Sequence, residues 1–308
     1  MTKPSSRFGI GEWYGKNFVS MSPHLRQHYA EIQFLPNSPA PACPFLSHSG
    51  KEVPCWKKGG VCSLRMYEKT AEGEVRPDSR KATLRATCPS RFEQDAIVYG
   101  WIGAVLLGAD KAVPIGQVNF LERTPLMRAR SEKDEDSVAA EEVGRIDNIL
   151  IIPGSQPPRW CPVEVQAVYF SGAKMELEFA SYRSQFSPDI VFPVGRRRPD
   201  YRSSGPKRLM PQLLVKVPTL RRWGKKMAVV VDEDFFAELG RMEPVADISN
   251  CDVAWFVVAF EEEEASFVLK KREIFLTTLE NSQNGLVAAR PVTKDEFEKR
   301  IMTKLKTV

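Results

Sequence analysis

The sequence has no hydrophobic run long enough to cross a membrane. Its longest apolar segment, residues 96–109, is interrupted by glycines and is shorter than the roughly 20 residues that a bilayer-spanning helix requires. The N-terminal segment MTKPSSRFGIGEWYG lacks the continuous apolar core of a signal peptide. From these two absences we expect a cytoplasmic protein with no membrane partner.

Internal repeats, low-complexity tracts and a nucleotide-binding P-loop are also absent. The glycine-rich RFGIGEWYG lacks the Lys-Ser/Thr ending of a P-loop and follows no strand, so it does not predict phosphate binding. We expect it instead to pack against the neighbouring cysteine-containing region. With 308 residues, 43% of them apolar, the chain can bury one large core or two modest ones.

Positive charge is concentrated in one segment. Residues 195–226 carry eleven Lys or Arg and the single acid Asp200, whereas the whole chain has a net charge of only +5. Such a segment predicts a polyanion-binding surface, although a solvated, solubilising loop is the alternative. Because arginine can fork onto phosphates or guanine edges, the candidate DNA contacts are Arg196, Arg197, Arg198, Arg202, Lys207 and Arg208.

The composition and the predicted secondary structure of the chain change near residue 90. Residues 1–90 are rich in Pro, Gly, Ser and Cys, with one short predicted helix that begins at Pro23. Residues 91–308 alternate predicted strands and helices, including a buried helix up to Gly108 and a terminal helix behind the capping box Thr293 and Glu296. This alternation predicts an α/β fold with a mixed sheet flanked by helices, and an N-terminal elaboration packed on it.

Two acidic residues lie on neighbouring predicted strands. Asp147 is in GRIDNILIIP, and Glu164 is in CPVEVQAVYFSG, where alternation places Glu164 and Gln166 on the same face. Two adjacent strands can bring both carboxylates to one hard divalent cation such as Mg²⁺, which suits a phosphodiester-cleaving site. A half-buried strand with one wet face is the alternative explanation.

Four of the six cysteines lie in the N-terminal region, which has few long periodic apolar segments. Their spacings lack compact C-x₂-C pairs, so metal binding and plain burial both remain open. Four thiolates around Zn²⁺ or Fe²⁺ would tie such a region together, with His48 as a substitute ligand. Cys161 and Cys251, beside predicted strands, are expected to be small core residues. The candidate ligands are Cys43, Cys55, Cys62 and Cys88.

Several segments together resemble the NotI family of restriction endonucleases, within the PD-(D/E)xK nuclease superfamily. They are FGIGEWYG, CPF, TCPSRF, GRIDNILI, CPVEVQAVYFSG and RLMPQLLVKVPTLRRWGKKMAVVVDEDFF. The resemblance implies a PD-(D/E)xK core over residues 91–308 and a metal-binding Cys₄ region over residues 1–90. It also implies that Asp147 and Glu164 bind catalytic Mg²⁺, that Gln166 positions the attacking water, and that the four cysteines hold structural iron or zinc.

The activity implied by the resemblance is that of a type II, sequence-specific double-stranded DNA endonuclease that leaves 5′-phosphate and 3′-hydroxyl ends. A palindromic target, a two-fold homodimer and a cognate DNA methyltransferase follow from it as expected partners. Two alternatives stay open: a DNA-binding protein that does not cleave, and a repair or mobile-element nuclease of broad specificity. The further upstream carboxylate common in the superfamily is equally open among Glu142, Glu132, Glu122 and Glu93.

Overall fold

The computed structural model describes residues 6–47, 51–78, 83–109, 111–122, 142–184, 186–288 and 292–305. The strands form a six-stranded sheet, a five-stranded N-terminal sheet and a two-stranded ribbon. Their bounds are β1 Ser6–Trp13, β2 Lys16–Asn17, β3 Val61–Lys69, β4 Val75–Pro77, β5 Arg85–Ala86, β6 Val113–Glu122, β7 Glu142–Ile151, β8 Trp160–Val165, β9 Phe170–Gly172, β10 Arg197–Pro199, β11 Met227–Asp232, β12 Val253–Glu263 and β13 Ser266–Thr277.

The α-helices are distributed along the whole chain, with shorter 3₁₀ and π segments between them. Their bounds are α1 Pro23–Ile32, α2 Ile97–Ile102, α3 Glu176–Ser184, α4 Tyr201–Ser204, α5 Met210–Arg222, α6 Glu233–Ala237, α7 Leu279–Val287 and α8 Lys294–Leu305. No helix of the described residues is long and apolar enough to span a bilayer.

The six-stranded sheet is mixed and has the order β13-β12-β11-β8-β7-β6. Strands β8, β11 and β12 are parallel to one another, and the remaining pairs are antiparallel. All six residues of β11 are buried, which explains its nearly continuous apolar run, because a central parallel strand is covered on both faces. The predicted mixed α/β fold is thereby confirmed.

Helices cover both faces of this sheet. On one face, Val98, Tyr99 and Ile102 of α2 pack against Val230 and Phe256. On the other face, the buried side of α5 and part of α7 pack against alternate residues of the same strands. The buried residues of α5 on this face are Leu213, Lys216, Val217 and Leu220. The lysine in this set stands out, because the rest of the set is apolar.

The N-terminal sheet has a core of its own, which the sequence did not lead us to expect. It has the order β2-β1-β3-β4, with β5 also paired to β3. Trp13 is fully buried, stacks on Phe179 at 5.2 Å between ring centroids, and also contacts Phe18 at 6.0 Å and Tyr29 at 5.7 Å. Since Phe179 belongs to α3, this aromatic core draws on residues far beyond position 90.

The predicted helix that ends at Gly108 is interrupted. A 3₁₀ segment, Pro89–Ala96, precedes α2, and Asp95 and Ala96 take positive φ values of 51° and 53° at the kink between them. Gly108, with φ of 61°, ends the helical stretch as predicted. In α5, Pro211 lies in the first turn, whereas Pro218 is accommodated inside the helix.

The terminal capping box is formed as predicted. Thr293 N–H donates to Glu296 Oε2 and Glu296 N–H donates to Thr293 Oγ1, both at 3.3 Å. A capping box joins residues three positions apart, so it needs no tertiary partner.

Candidate active site

Strands β7 and β8 bring the two predicted acids together. They are antiparallel neighbours with Asn148 opposite Val163, so continuing this register places Asp147 beside Glu164. The two carboxyl groups differ strongly in exposure, because the Asp147 side chain is 54% exposed and the Glu164 side chain only 10%. The pair therefore has one member open to solvent and one in the interior.

The buried member is held by a lysine. Lys216 Nζ donates to Glu164 Oε2 at 2.6 Å, and the lysine side chain is itself 3% exposed. Burial raises the pKa of Glu164, the Lys216 ammonium lowers it, and the charge of Asp147 raises it further. The influence of Asp147 on Glu164 agrees with their facing positions on β7 and β8.

Gln166 lies one residue beyond the end of β8. Its backbone N–H donates to Val230 O at 3.0 Å, which keeps the segment beside β11 after the regular strand has ended. Its side-chain Nε2 donates to Ala167 O at 2.6 Å. The amide can bind a water molecule or a phosphate oxygen, but it brings no positive charge to the site.

Asp147 has a basic neighbour on its own strand. Arg145 Nε lies 3.9 Å from Asp147 Oδ1, and Arg145 also donates to Gln117 Oε1 on β6 at 3.2 Å. Both side chains of the ion pair are more than half exposed, so this contact stabilises the fold little. Asp147 is accordingly available to a ligand that approaches from solvent.

Five of the six predicted DNA-contacting residues are exposed to solvent, as a side chain must be to contact DNA. Arg208 stacks over the exposed ring of Tyr169 at 4.4 Å, three residues after Gln166. The segment that contains Arg208 leads directly into α5, the helix that carries Lys216. The exposed residues are Arg196, Arg198, Arg202, Lys207 and Arg208.

Arg197, the sixth predicted DNA contact, requires a correction. Its guanidinium is buried, donates to Glu178 Oε1 at 2.6 Å and donates to Lys174 O at 2.8 Å. Glu178 also accepts from the backbone N–H groups of Val194 and Gly195. Arg197 therefore fastens the ribbon β9-β10 to α3. Side chains alternate between the two faces of a strand, so β10 turns Arg197 inward and its neighbours outward.

Lys216 is a residue of this site that the sequence patterns did not single out, because it is one of the eleven charges of the basic segment. The signal was available in the helical spacing, because Leu213, Val217 and Leu220 define a buried stripe of which Lys216 is part. A lysine within such a stripe requires a buried partner.

The four N-terminal cysteines act on one another electrostatically. Burial raises the pKa values of Cys55, Cys62 and Cys88, and each of these is raised further by at least one other cysteine of the set. Cys43 and Cys62 form a small cluster with Phe45, against which Cys55 packs. Among the described residues, however, no group of three or more His, Cys, Asp or Glu is placed to hold a metal ion. The predicted iron or zinc site thus has donors of the right kind but no support from their geometry.

The remaining sequence candidates lie mostly outside the described residues. His48 and Glu132 lie outside the described residues, as do the side chains of Glu122 and Glu142. Burial raises the pKa of the Glu93 carboxyl. Cys161, in β8, and Cys251, just before β12, are buried core residues, as expected.

Two carboxylates on neighbouring strands can bind a divalent cation, and a group of exposed basic residues can bind a polyanion, a combination that suits hydrolysis of nucleic acids. A comparison with models of protein families narrows this class, because the model for the restriction endonuclease NotI matches residues 35–297. The chain belongs to this family, and it is accordingly a type II restriction endonuclease, a site-specific deoxyribonuclease that acts on double-stranded DNA. No curated protein matches the chain.

Proposed function

We propose that the chain cleaves double-stranded DNA within a specific sequence, with Mg²⁺ bound by Asp147 and Glu164, and leaves 5′-phosphate and 3′-hydroxyl ends. The observation that carries the proposal is the convergence of these two carboxylates from β7 and β8, one exposed and one buried. The six-stranded sheet that positions them would then be a PD-(D/E)xK nuclease core.

The side chains of the site divide the work of phosphodiester hydrolysis. Asp147 and Glu164 supply the oxygen ligands that Mg²⁺ prefers. Bound there, the ion would offset the negative charge that develops on the phosphate and lower the pKa of a coordinated water. Gln166 follows Glu164 at the end of β8, from where its amide can orient a water molecule by hydrogen bonding.

DNA would be held by the exposed basic residues. Arg208 stands over Tyr169, close in sequence to Gln166, and this places a cation near the end of β8 where the cut would occur. Arg196, Arg198, Arg202 and Lys207 extend the positive surface. Cleavage of both strands of a palindrome requires two such sites, so we propose a homodimer and, in the host, a methyltransferase that protects the same sequence.

The test is cleavage of unmethylated plasmid and phage DNA by the purified protein, with Mg²⁺ or with EDTA, followed by sequencing of the new ends. We expect discrete fragments that share one palindrome, 5′-phosphate termini, and no product from Asp147→Asn or Glu164→Ala. Arg145→Gln is the matched control, because it removes a charged neighbour of Asp147 on the same strand but no predicted ligand.

Other outcomes would select the alternatives. Salt-dependent binding without Mg²⁺-dependent nicks, unchanged by Glu164→Ala, would mean a DNA-binding protein that does not cleave. Dispersed ends would mean a nuclease of broad specificity. Equal cleavage by wild type and both carboxylate variants would place the catalytic site elsewhere in the chain.

We further propose that Cys43, Cys55, Cys62 and Cys88 bind one structural iron or zinc ion. The proposal is supported by the family resemblance and by the chemistry of the donors, since thiolates suit either ion. Elemental analysis of the purified protein should find about one equivalent per chain. Cys62→Ser should remove the ion and Cys251→Ser, an equally buried control, should not; a metal-free wild-type protein would overturn the proposal.

A further inference from the structure

The Lys216–Glu164 pair is unusual because a complete ion pair lies between the sheet and the helix that covers it. Lys216 occupies a position on α5 that faces the sheet, between Leu213 and Leu220 of the same buried stripe. Its partner Glu164 is on β8, 52 residues earlier in the chain. Among the described residues, Lys216 is the one cation within ion-pair distance of Glu164.

Stability gives no reason for this pair. Taking two charges out of water costs free energy that their mutual attraction only partly returns, and well-packed apolar residues of similar volume are often as stabilising or more so. The surrounding stripe consists of residues of that apolar type. A pair that adds little to stability, and that includes one of the two proposed magnesium ligands, calls for a functional explanation.

The contact involves only one of the two oxygens of the Glu164 carboxylate. Lys216 binds Oε2 of Glu164, and Oε1 receives no hydrogen bond from any described residue. The Gln166 amide is directed to its neighbouring backbone carbonyl and is neutral, so it does not take the place of the lysine. One oxygen of Glu164 is thus held and the other is left for a ligand.

We propose that Lys216 is a positioning residue of the active site, which fixes the Glu164 carboxylate through Oε2 and leaves Oε1 for the cation shared with Asp147. This role rests on the proposed function. With its side chain 3% exposed, Lys216 is too deeply buried to touch DNA itself, so it acts through Glu164. The positive charge beside Glu164 thus comes from Lys216 on α5, because the neutral Gln166 after β8 cannot supply it.

The test compares wild type with Lys216→Met, Lys216→Gln and Lys216→Arg. Removal of a group that orients a metal ligand typically lowers activity or metal affinity about 10- to 100-fold. We expect losses in that range for Lys216→Met, both in the single-turnover rate at saturating DNA and Mg²⁺ and in the affinity for Mn²⁺ measured by calorimetry without DNA. DNA affinity in EDTA should stay unchanged, and Lys216→Arg should recover part of the rate.

Arg65→Met is the matched structural control. Arg65 is as buried as Lys216 and pairs with Glu262 at 3.1 Å, but it belongs to the N-terminal sheet. Its loss should lower the melting temperature without altering the Mn²⁺ affinity or the cleavage rate of the folded protein. Lys216→Gln keeps a neutral N–H donor and serves for the same measurements should Lys216→Met fail to fold.

Two negative results would have different meanings. If Lys216→Met or Lys216→Gln lowers the melting temperature but matches Arg65→Met in rate and Mn²⁺ affinity, the pair is structural and the positioning role is wrong, while the proposed function stands. If the wild type cleaves no DNA with Mg²⁺, the proposed function fails and the role of Lys216 fails with it.

Discussion

The two large sheets of this protein are stabilised by different kinds of contact. In the six-stranded sheet, β11 and the first eight residues of β12 are buried and almost entirely apolar, and helices cover both faces. The N-terminal sheet buries aromatic rings together with charged groups, above all Glu12 and Arg91, which are 1% and 0% exposed. The first sheet buries almost only apolar area, whereas the second adds a buried charged pair to its aromatic core.

The charged pairs also join the two sheets. Arg91 donates to Glu12 on β1 and to Phe267 O on β13, and its guanidinium lies between the rings of Phe45 and Phe260. Most of these partners lie far from Arg91 in the sequence. The comparison shows that a region with a small core can be fastened to a larger one by a few fully satisfied charges.

The largest expected change in stability comes from breaking the Arg91–Glu12 ion pair. Arg91→Met leaves Glu12 buried without a cation, and removal of one partner of such a pair typically costs about 3–5 kcal/mol. We expect the free energy of unfolding, measured by urea denaturation, to fall by that amount.

An apolar deletion in the other sheet is the control for Arg91→Met. Val229→Ala removes two methyl groups from a fully buried position of β11, which should cost roughly 2 kcal/mol through lost burial and a small cavity. A loss for Arg91→Met no larger than that for Val229→Ala would contradict the contrast between the two sheets.

The next largest effect is a pH dependence of stability caused by Asp232, the one polar residue of β11. Its Oδ1 accepts from Phe235 N–H at 2.7 Å and caps α6, whereas its Oδ2 is buried with no hydrogen-bond partner among the described residues. Burial raises the pKa of this carboxyl from 3.8 to about 7. The folded state therefore binds the proton more tightly than the unfolded state does, and stability should decline as pH rises between these two values.

Asp232→Asn tests this decline, because Asn keeps the cap and cannot ionise. A shift of about three pH units corresponds to at most about 4 kcal/mol, lost by the wild type between pH 4 and pH 7. Urea denaturation of both proteins at pH 5 and pH 8 should show a smaller decline in the variant. Parallel pH profiles would mean that Asp232 is ionised in the folded protein throughout.

The smallest change in stability is expected from a substitution outside both sheets, in α8. Helix α8 has no buried residue, and the Phe297 side chain is among its exposed apolar groups. Phe297→Ser should change the free energy of unfolding by no more than about 0.5 kcal/mol, as is usual for exposed positions. A clear drop in melting temperature would show that α8 is packed against something in solution.

The elements that the sequence predicted correctly are those with a local or strongly periodic cause. The apolar runs of β11 and β12 predict buried strands, and Thr293 with Glu296 predicts the start of α8, since these patterns need only nearby residues. The break at Asp95 and Ala96 was missed, because the apolar spacing continues through it and only the packing of two helical segments reveals it. The aromatic core of the N-terminal sheet was missed for a similar reason, since α3 completes it.

The sequence by itself determined the class of fold, the family, and the residue types available for chemistry: two acids, one amide and a basic segment. Only the tertiary structure decided which charges face inward. Arg197 and Lys216 both belong to the basic segment, yet one fastens a ribbon to α3 and the other holds Glu164. The physical reason is that a charge stays buried only when a partner is brought to it by strand register and helix packing. Local spacing marks Lys216 and Arg197 as facing inward, but their partners lie 52 and 19 residues away in the sequence.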